Sequence, residues 1–409
     1  MSPTAPAAAA YAAWLACCTE AGWAPVVVGE RVPLADAVGR TTARDVHAHR
    51  SSPAQERAAM DGVAVRAADT AGASEARPLR LRPGTYDVVD TGDPLPGGRD
   101  AVIMREHVRR GIGDVVEVVA PVPPGRHVRP VGEDVVAGEL LLPAGHRVRP
   151  VDTAMVATAG HSDLPVTRRP IVAILPTGDE IRPVGTPLGP GDIVDTNSLM
   201  LAGTAQEAGC VTRVLPVAPD DPARLAAAVA AAAVGADLVL VIAGSSAGRD
   251  DHTAGVLTTL GKVAVHGVAI RPGHPVVLGV LADAVPVVGV PGYPVAAAHV
   301  FGTFAAPMIA ALTGAAAHPV DRVTAVLAAA VDSPGPVEEC VLVRLEVRDG
   351  MLTAVPSGRG AGASSRLARA DGVLRIPSGS TGHPAGDVVR VERLPGAAPG
   401  LPPPWPDRP

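Results

Sequence analysis

Glu180, Asp220, Asp250 and Asp251 each follow a short apolar run, at Ile171–Leu175, Val211–Leu215 and Leu238–Ile242. Runs of that length, rich in Val, Ile and Leu, read as buried strands. In a doubly wound sheet, ligands bind beyond the carboxyl ends of the strands, so these carboxylates could converge on one edge. The same edge would receive the turn Pro176-Thr177-Gly178-Asp179-Glu180, the loop Gly244-Ser245-Ser246-Ala247-Gly248 and the loop Pro291-Gly292-Tyr293-Pro294. Glycines let backbone N–H groups come close to a ligand, and a loop that opens a helix makes an anion nest. The 244–248 loop is therefore the best phosphate candidate. Phosphate nests beside carboxylates suit a hard divalent cation, Mg2+, bridging phosphate oxygens. Glycine-rich turns are equally ordinary in any α/β domain, and N-capping alone would account for Asp220 or Asp221.

Other turns carry chemistry only in combination. Arg271-Pro272-Gly273-His274-Pro275 is a rigid turn with two potential cations for an oxyanion, or a surface turn. Ala59-Met60-Asp61-Gly62, Thr91-Gly92-Asp93-Pro94 and the Arg129–Asp134 segment (RPVGED) hold acidic, basic or hydroxyl groups in tight turns. His47 and His49 share a strand face, but no Cys or further His completes a metal site. Ser245 or Ser246 with His252 lacks a nucleophile elbow, which excludes a hydrolase triad. Cys17, Cys18, Cys210 and Cys340 show no metal spacing and fit a reducing compartment.

The elements that must position these groups follow from periodicity and punctuation. Between 169 and 314, strands alternate with helices. The helices are Asn197–Ala208, N-capped by Asn197 and stopped by Gly209; a second from Asp221-Pro222 through Val234; Asp251–Leu260, stopped by Gly261; and a closing helix Val295–Leu312. Val276–Val280 and Pro286–Val290 are further strands. This alternation predicts a mostly parallel, doubly wound sheet. A helix at Tyr11–Ala21 precedes a β-rich stretch to about 168, with turn signals every 8–12 residues. Residues 320–394 return to β, with strands at 341–347, 351–355, 373–376 and 388–394 and a hairpin at Asp349-Gly350. They read as a small barrel or sandwich. Residues 1–10 and the Pro-rich 395–409 read as flexible.

Composition bounds the rest. The 409 residues suggest two to four domains. The 45 Gly and 43 Pro make the chain turn-rich, short of the composition at which disorder becomes the default. Aromatics are 2%, so cores rest on Ala, Val and Leu, and stacking platforms for single-stranded nucleic acid are missing. A net charge of −6 argues against a DNA-coating domain. Lys262 is the only lysine, so anion sites must use Arg, His or backbone N–H groups. The longest apolar stretch, Leu225–Val234, is too short to span a bilayer, and the Ala-rich amino-terminal run, with no basic residue before it, does not read as a signal peptide. A cytoplasmic protein without nucleic-acid or membrane partners is expected.

Taken in order, the motifs resemble the MoeA/gephyrin E-domain family, the molybdopterin molybdenumtransferases. The resemblance covers about 20–394. It rests on Ala59–Gly62 with Ala64-Val65; Thr91–Pro96 running into Asp100–Glu106; Arg129–Asp134; Thr177–Ile181; Asp195-Thr196-Asn197; Gly244–Gly248 with Asp251; Ala269–Gly273; and Gly289–Val295. It implies an α/β plus β protein: a discontinuous linker domain (11–47 plus 143–168), an inserted β-rich domain (48–142), a MogA-like, doubly wound molybdopterin-binding domain (169–316), a C-terminal β-barrel (320–394) and a disordered tail (395–409). It also implies a homodimer whose cleft lies between the α/β domain of one subunit and the inserted domain of the other, and transient contact with the adenylyltransferase that makes its substrate.

The implied reaction inserts molybdenum from molybdate into adenylylated molybdopterin, with Mg2+-dependent release of AMP. By motif match, Asp61, Asp134 and Glu180 are catalytic, and Glu180, Asp220 and Asp251 hold the metal. Thr91, Gly92, Arg129, Thr177, Gly178, Asp220, Gly244, Ser245, Ser246, Gly248, Asp251, Pro272 and Gly273 bind the pterin substrate. Arg271, His274 and Arg344 face molybdate. The chain departs from the family pattern at several anion positions. The common Ser-Gly-Gly-Val-Ser-Val-Gly loop is here Ile242–Gly248, Lys-Pro-Gly-Lys is Arg271–His274, a preceding lysine is Gly267, Pro-Gly-Asn-Pro has Tyr293, and a barrel serine is Ala361. The oxyanion pocket is thus less cationic while the carboxylates are intact. A non-catalytic pterin-binding carrier or sensor is the alternative reading.

Overall fold

Strands Ile171–Pro176, Leu238–Ala243 and Pro286–Pro291 are buried on both faces, which suits the middle of a parallel sheet. In the computed structural model, which describes residues 5–25, 28–243, 252–316, 320–358, 360, 362, 364–394 and 396, they are the centre of a six-stranded sheet. Its order is 211–214, 171–176, 238–243, 286–291, 277–281, 261–266. The first four strands pair in parallel, and the pairings of 277–281 with 286–291 and with 261–266 are antiparallel.

Side chains alternate between two cores, as the period of a strand requires. Val172, Ile174, Leu238, Leu240 and Ile242 meet Leu201, Phe301, Phe304 and Met308 on one face. Ala173, Leu175, Val239 and Val241 meet Leu225, Val229, Val256 and Leu257 on the other. Each fully buried Leu or Ile contributes about 1.5–3 kcal/mol, so a chain nearly without aromatics builds its core from many aliphatics. The helical run Pro294–Thr313 is 20 residues long, longer than the apolar stretch noted in the sequence. It is apolar enough to cross a membrane by length and composition, but Val300, Phe301, Phe304, Met308 and Ile309 are buried in the first core.

Several boundaries differ from expectation. The amino-terminal helix starts at Ala7, not Tyr11, and Ala5 bridges Val268, so 5–10 are not a free tail. This helix packs Trp14, Cys17 and Cys18 into the α/β core rather than into the linker segment. Its anchor is the Trp14 indole N–H, which donates to the Gly279 carbonyl at 2.7 Å. Gly261, expected as a helix stop, also begins an unforeseen strand, Gly261–His266. The Asp221 carboxylate caps helix Pro222–Ala233 as expected, accepting from the Arg224 N–H at 2.8 Å.

In the carboxyl-terminal region, strand Glu338–Arg348 pairs with both Met351–Pro356 and Gly372–Ile376. With Arg322–Leu327, missed in the sequence, and Val388–Arg393 this closes a small barrel. Asp349 and Gly350 both have positive φ, 51° and 76°, as a two-residue hairpin turn demands. The short strand Ile270–Arg271 attaches in parallel to Glu338–Glu339.

Residues 29–166 form a second compact unit. Strand Gly62–Val65 sits between Tyr86–Val89 and Ala101–Met104, and a second three-stranded sheet joins 79–81, 116–118 and 108–110. A separate core draws Val32, Ala37 and Val46 together with Leu142, Val148, Val156, Leu164 and Val166.

Candidate active site

From strand 171–176 the chain crosses to 211–214 on one side, and 238–243 lies on the other. The helices that follow the two strands, 197–207 and 253–260, pack on opposite faces of the sheet, which leaves a crevice at the carboxyl edge, where ligands bind in such sheets. A cavity of about 570 Å3 occupies it, lined by Thr177, Glu180, Asp195, Asn197, Gly292 and Tyr293 among others. That volume is within the range of small-molecule sites.

The turn that carries Glu180 is pinned by its neighbours. The Thr177 hydroxyl donates to the Ile242 carbonyl at 2.9 Å, so it positions the loop rather than offering a free donor. Gly178 has φ +132°, and a Cβ there would lie 2.9 Å from Glu180 Oε2 and 2.8 Å from Ile181 Cγ1. The positive φ favours glycine here, and its lack of a Cβ leaves space for the Glu180 carboxylate over the turn. The Asp179 N–H donates to Asp220 Oδ2 at 3.2 Å and the Asp220 N–H to Asp179 Oδ1 at 3.4 Å. Asp220 is thus tied to the Glu180 turn without lining the cavity.

Asn197 does not cap its helix, which runs Asn197–Glu207. Asp195 does, accepting from the Ser198 N–H at 2.9 Å. Asn197 instead donates to the Gly292 carbonyl at 2.7 Å and holds the 291–294 loop against the cavity. Asp195 and Asn197 belong to a quoted motif but were not assigned to the site. Their spacing, a carboxylate two residues before an amide at a helix start, was the available signal.

A second cavity of about 350 Å3 adjoins the first along Tyr293, which lines both. It is lined by Arg271, Pro272, Gly273 and His274, with Glu339, Cys340 and Ser357 from the barrel side. His274 Nδ1 donates to the Val268 carbonyl at 2.8 Å, leaving Nε2 as the outward atom. Arg271 Nε stands 3.9 Å from Glu339 Oε1, and Glu339 is buried. Arg344 is not among the lining residues. It is paired with Glu346, whose carboxyl is held below its usual range by Arg348 and Arg344. Burial pushes the Cys340 thiol up to about 12 and lowers His299.

In the 29–166 unit, Asp61 and Thr91 are brought together by the pairing of 62–65 with 86–89. The Thr91 N–H and hydroxyl both donate to Asp61 Oδ1, at 2.7 and 2.8 Å. These bonds, the backbone one first, with Arg105 nearby, hold the exposed Asp61 carboxyl below the usual range. Gly62 is required beside it, because a Cβ would lie 1.9 Å from the Ile103 carbonyl oxygen. The Gly92 N–H donates to the Ala58 carbonyl at 2.8 Å. Arg129 is exposed and paired with Glu133, and Asp134 is exposed, its N–H on the Ser52 carbonyl. Gly244, Ser245, Ser246, Gly248, Asp251 and Ala361 lie outside the described residues, as does the tail beyond Gly396.

Residues 7–160 match the family model described as the MoeA N-terminal region (domain I and II). Residues 173–311 match that of a probable molybdopterin binding domain, and 324–394 that of the MoeA C-terminal region (domain IV). A molybdopterin molybdenumtransferase 2 of Mycobacterium tuberculosis (strain ATCC 25618 / H37Rv) is 34% identical over 386 residues, covering 88% of this chain and 94% of its own. The chain belongs to the MoeA family. The molybdopterin molybdenumtransferase of Bacillus subtilis (strain 168) is 32% identical over 389 residues, 88% of this chain and 89% of its own. Two crystal structures of a molybdopterin biosynthesis MoeA protein from Pyrococcus horikoshii superpose with TM-scores of 0.83 and 0.78 at 32% and 30% identity. They match 95% and 96% of this chain and 99% and 100% of theirs. The expected α/β plus β fold, with a MogA-like domain and a closed carboxyl-terminal barrel, is the MoeA fold.

Proposed function

We propose that this MoeA-family chain is a molybdopterin molybdenumtransferase, which inserts molybdenum from molybdate into adenylylated molybdopterin and releases AMP. The observation that carries the reading is the pair of cavities meeting at Tyr293. One has the Glu180 carboxylate at the switch point of the sheet; the other has Arg271 and His274. The first suits the pterin and its diphosphate, the second a tetrahedral oxyanion. The names of the relatives do not favour the non-catalytic alternative.

The reaction adds water across the phosphoanhydride, so that one phosphate stays on the pterin and the other leaves as AMP. Mg2+ characteristically takes one or two carboxylates together with substrate phosphates; Glu180, which lines the cavity, would offer one, and Asp220, tied to the same turn outside the lining, a second. Among the described residues no group of three His, Cys, Asp or Glu side chains that could hold a metal includes Glu180 or Asp220. When bound, the ion neutralises charge on the diphosphate. Glu180 holds it or orients the attacking water, and the Asp195–Asn197 segment fixes the loop that closes the cavity. Arg271 and His274 hold the oxyanion next to the pterin. The proposal takes the protein as a cytoplasmic homodimer, with 48–142 as the inserted domain and 29–47 plus 143–168 as the linker, the amino-terminal helix belonging with the α/β core.

Purified protein incubated with adenylyl-molybdopterin, molybdate and Mg2+ is expected to release AMP, and Glu180→Gln to slow release by roughly 100-fold, the scale of losing one electrostatic stabiliser. Wild-type rates in the Glu180→Gln protein would remove its assigned role. Failure of the gene to restore molybdoenzyme activity in a strain lacking the transferase would overturn the function.

A further inference from the structure

A second constellation lies beyond the roles assigned above. His299, from helix Pro294–Val300, and Glu338 and Cys340, from strand Glu338–Arg348, bring one ring nitrogen, one carboxylate oxygen and one thiol sulfur within 4.8 Å of one another. Cysteine spacing along the chain hides the group, because the His and the Cys are 41 residues apart. Glu338 and Cys340 are two residues apart on one strand and so share its face.

The histidine is set up as a ligand. Its Nδ1 lies 2.6 Å from the Pro272 carbonyl. A carbonyl only accepts, so Nδ1 carries the hydrogen and Nε2 presents its lone pair. Metal-ligating histidines show this arrangement, the second nitrogen held by a backbone carbonyl. That Nε2 lies 3.0 Å from Cys340 Sγ and accepts from the thiol. Arg375 bridges Glu338 Oε1 at 3.1 Å and Glu392 Oε2 at 2.7 Å, and its Nη1 is 3.4 Å from the Cys340 sulfur. Arg322 reaches Glu392 from the solvent side at 2.9 Å. The Arg375 bond to Glu338 uses Oε1 and leaves Oε2 for another partner. Cys340 lines both the Arg271 cavity and a neighbouring one of about 190 Å3 that His299 also lines. The sulfur and the ring thus border open space on one side.

We propose that His299, Glu338 and Cys340 bind a borderline-soft divalent cation of the Zn2+ class, at a site separate from the Mg2+ position. A thiolate and the Glu338 carboxylate supply two negative charges and the imidazole none, with Glu392 answering the neighbouring Arg375 cation, and the mixed sulfur, nitrogen and oxygen set selects Zn2+ over Mg2+. Binding replaces the S–H···N contact: the cation takes the sulfur and nitrogen lone pairs, and the thiol proton leaves to solvent. Zn–S near 2.3 Å and Zn–N near 2.0 Å in a tetrahedron put the two donors roughly 3.5 Å apart. The pair therefore opens by a few tenths of an ångström. The loaded site would tie the helix to the barrel strand beside the oxyanion cavity.

The test titrates chelator-treated full-length protein with Co2+ and then Zn2+. One equivalent of Co2+ is expected to give a thiolate-to-cobalt charge-transfer band, with release of one proton, and Zn2+ to abolish the band. Cys340→Ser should lose the band, Glu338→Gln should weaken binding at least tenfold, and a variant with Cys17, Cys18 and Cys210 all changed to Ser should keep it. Absence of the band in the wild type, its survival in Cys340→Ser, or unchanged affinity in Glu338→Gln would overturn the proposal. Glu338 is partly exposed, so its variant tests the site even if Cys340→Ser fails to fold.

Discussion

Glu339→Gln is expected to tighten oxyanion binding, although it removes no obstacle of size. Glu339 is buried where the barrel strand meets the Arg271 cavity, with Oε1 3.9 Å from Arg271 Nε. At an effective dielectric of 20, unit charges at that separation interact by about 4 kcal/mol. The Arg271 side chain is 52% exposed, and solvent screening brings the pair to about 1 kcal/mol. Neutralising the carboxylate frees that much of the Arg271 field for a bound dianion and removes a negative charge from the wall. Molybdate should therefore bind about fivefold more tightly, read by isothermal titration calorimetry. Arg271→Gln should weaken binding, and in that background Glu339→Gln should gain less, since only the wall repulsion is left to relieve. The glutamine is isosteric, so the melting temperature should change little. Unchanged or weaker molybdate affinity in Glu339→Gln would refute the reasoning, because it would mean that Glu339 organises Arg271 for the anion rather than competing with it.

Thr91→Val removes one of the two Thr91 donors to Asp61 and keeps the backbone one. Asp61 titration, followed by carboxyl carbon NMR, should move up toward the ordinary aspartate range. A carboxylate held low contributes stability above its unfolded pKa and loses it as pH falls through its folded pKa, so in the variant that loss begins at higher pH. Gly62→Ala places a Cβ 1.9 Å from the Ile103 oxygen and should destabilise the 29–166 unit by about 3 kcal/mol, measured by urea unfolding; a loss below about 1 kcal/mol would contradict the close approach. Asn197→Ala removes the bond to the Gly292 carbonyl at 2.7 Å, a loss of about 1 kcal/mol, and should raise KM for the pterin substrate more than it lowers kcat. Asn197→Asp, which cannot donate, should raise KM further.

The centre of the parallel sheet was legible because strands 171–176, 238–243 and 286–291 are buried on both faces and read as apolar runs. Strand 322–327 was not, because Arg322 and Thr324 interrupt its apolar pattern. Strand 261–266 was hidden behind Gly261, which ends a helix and begins a strand with no residue between. The amino-terminal helix was visible, but nothing in its Ala-rich pattern says that Trp14 reaches the Gly279 carbonyl across 265 residues. Asn197 looked like a cap because asparagine caps well in general. The structure gives that work to Asp195 and frees the amide for the Gly292 loop.

The chemistry of the oxyanion cavity shows where sequence reading could have gone further. Strand 338–348 buries alternate residues, Glu339, Val341, Val343 and Leu345. The apolar members alone fix that parity, and it puts Glu339 on the inner face and Arg344 on the outer. The resemblance implies that Arg344 faces molybdate; in the structure it lies further along the strand than the cavity-lining residues 339–342 and is paired with Glu346. The same parity puts Glu338 and Cys340 on the outer face, where His299 can meet them. A carboxylate in the core register of an otherwise aliphatic strand is costly unless a cation answers it, and Arg271 is the cation the fold brings to that end of the barrel. The scarcity of lysine sharpens the consequence. With His274 at the turn and Gly267 before it, Arg271 is the fixed cation among the residues described as lining the cavity, and its field is shared between Glu339 and any anion that enters.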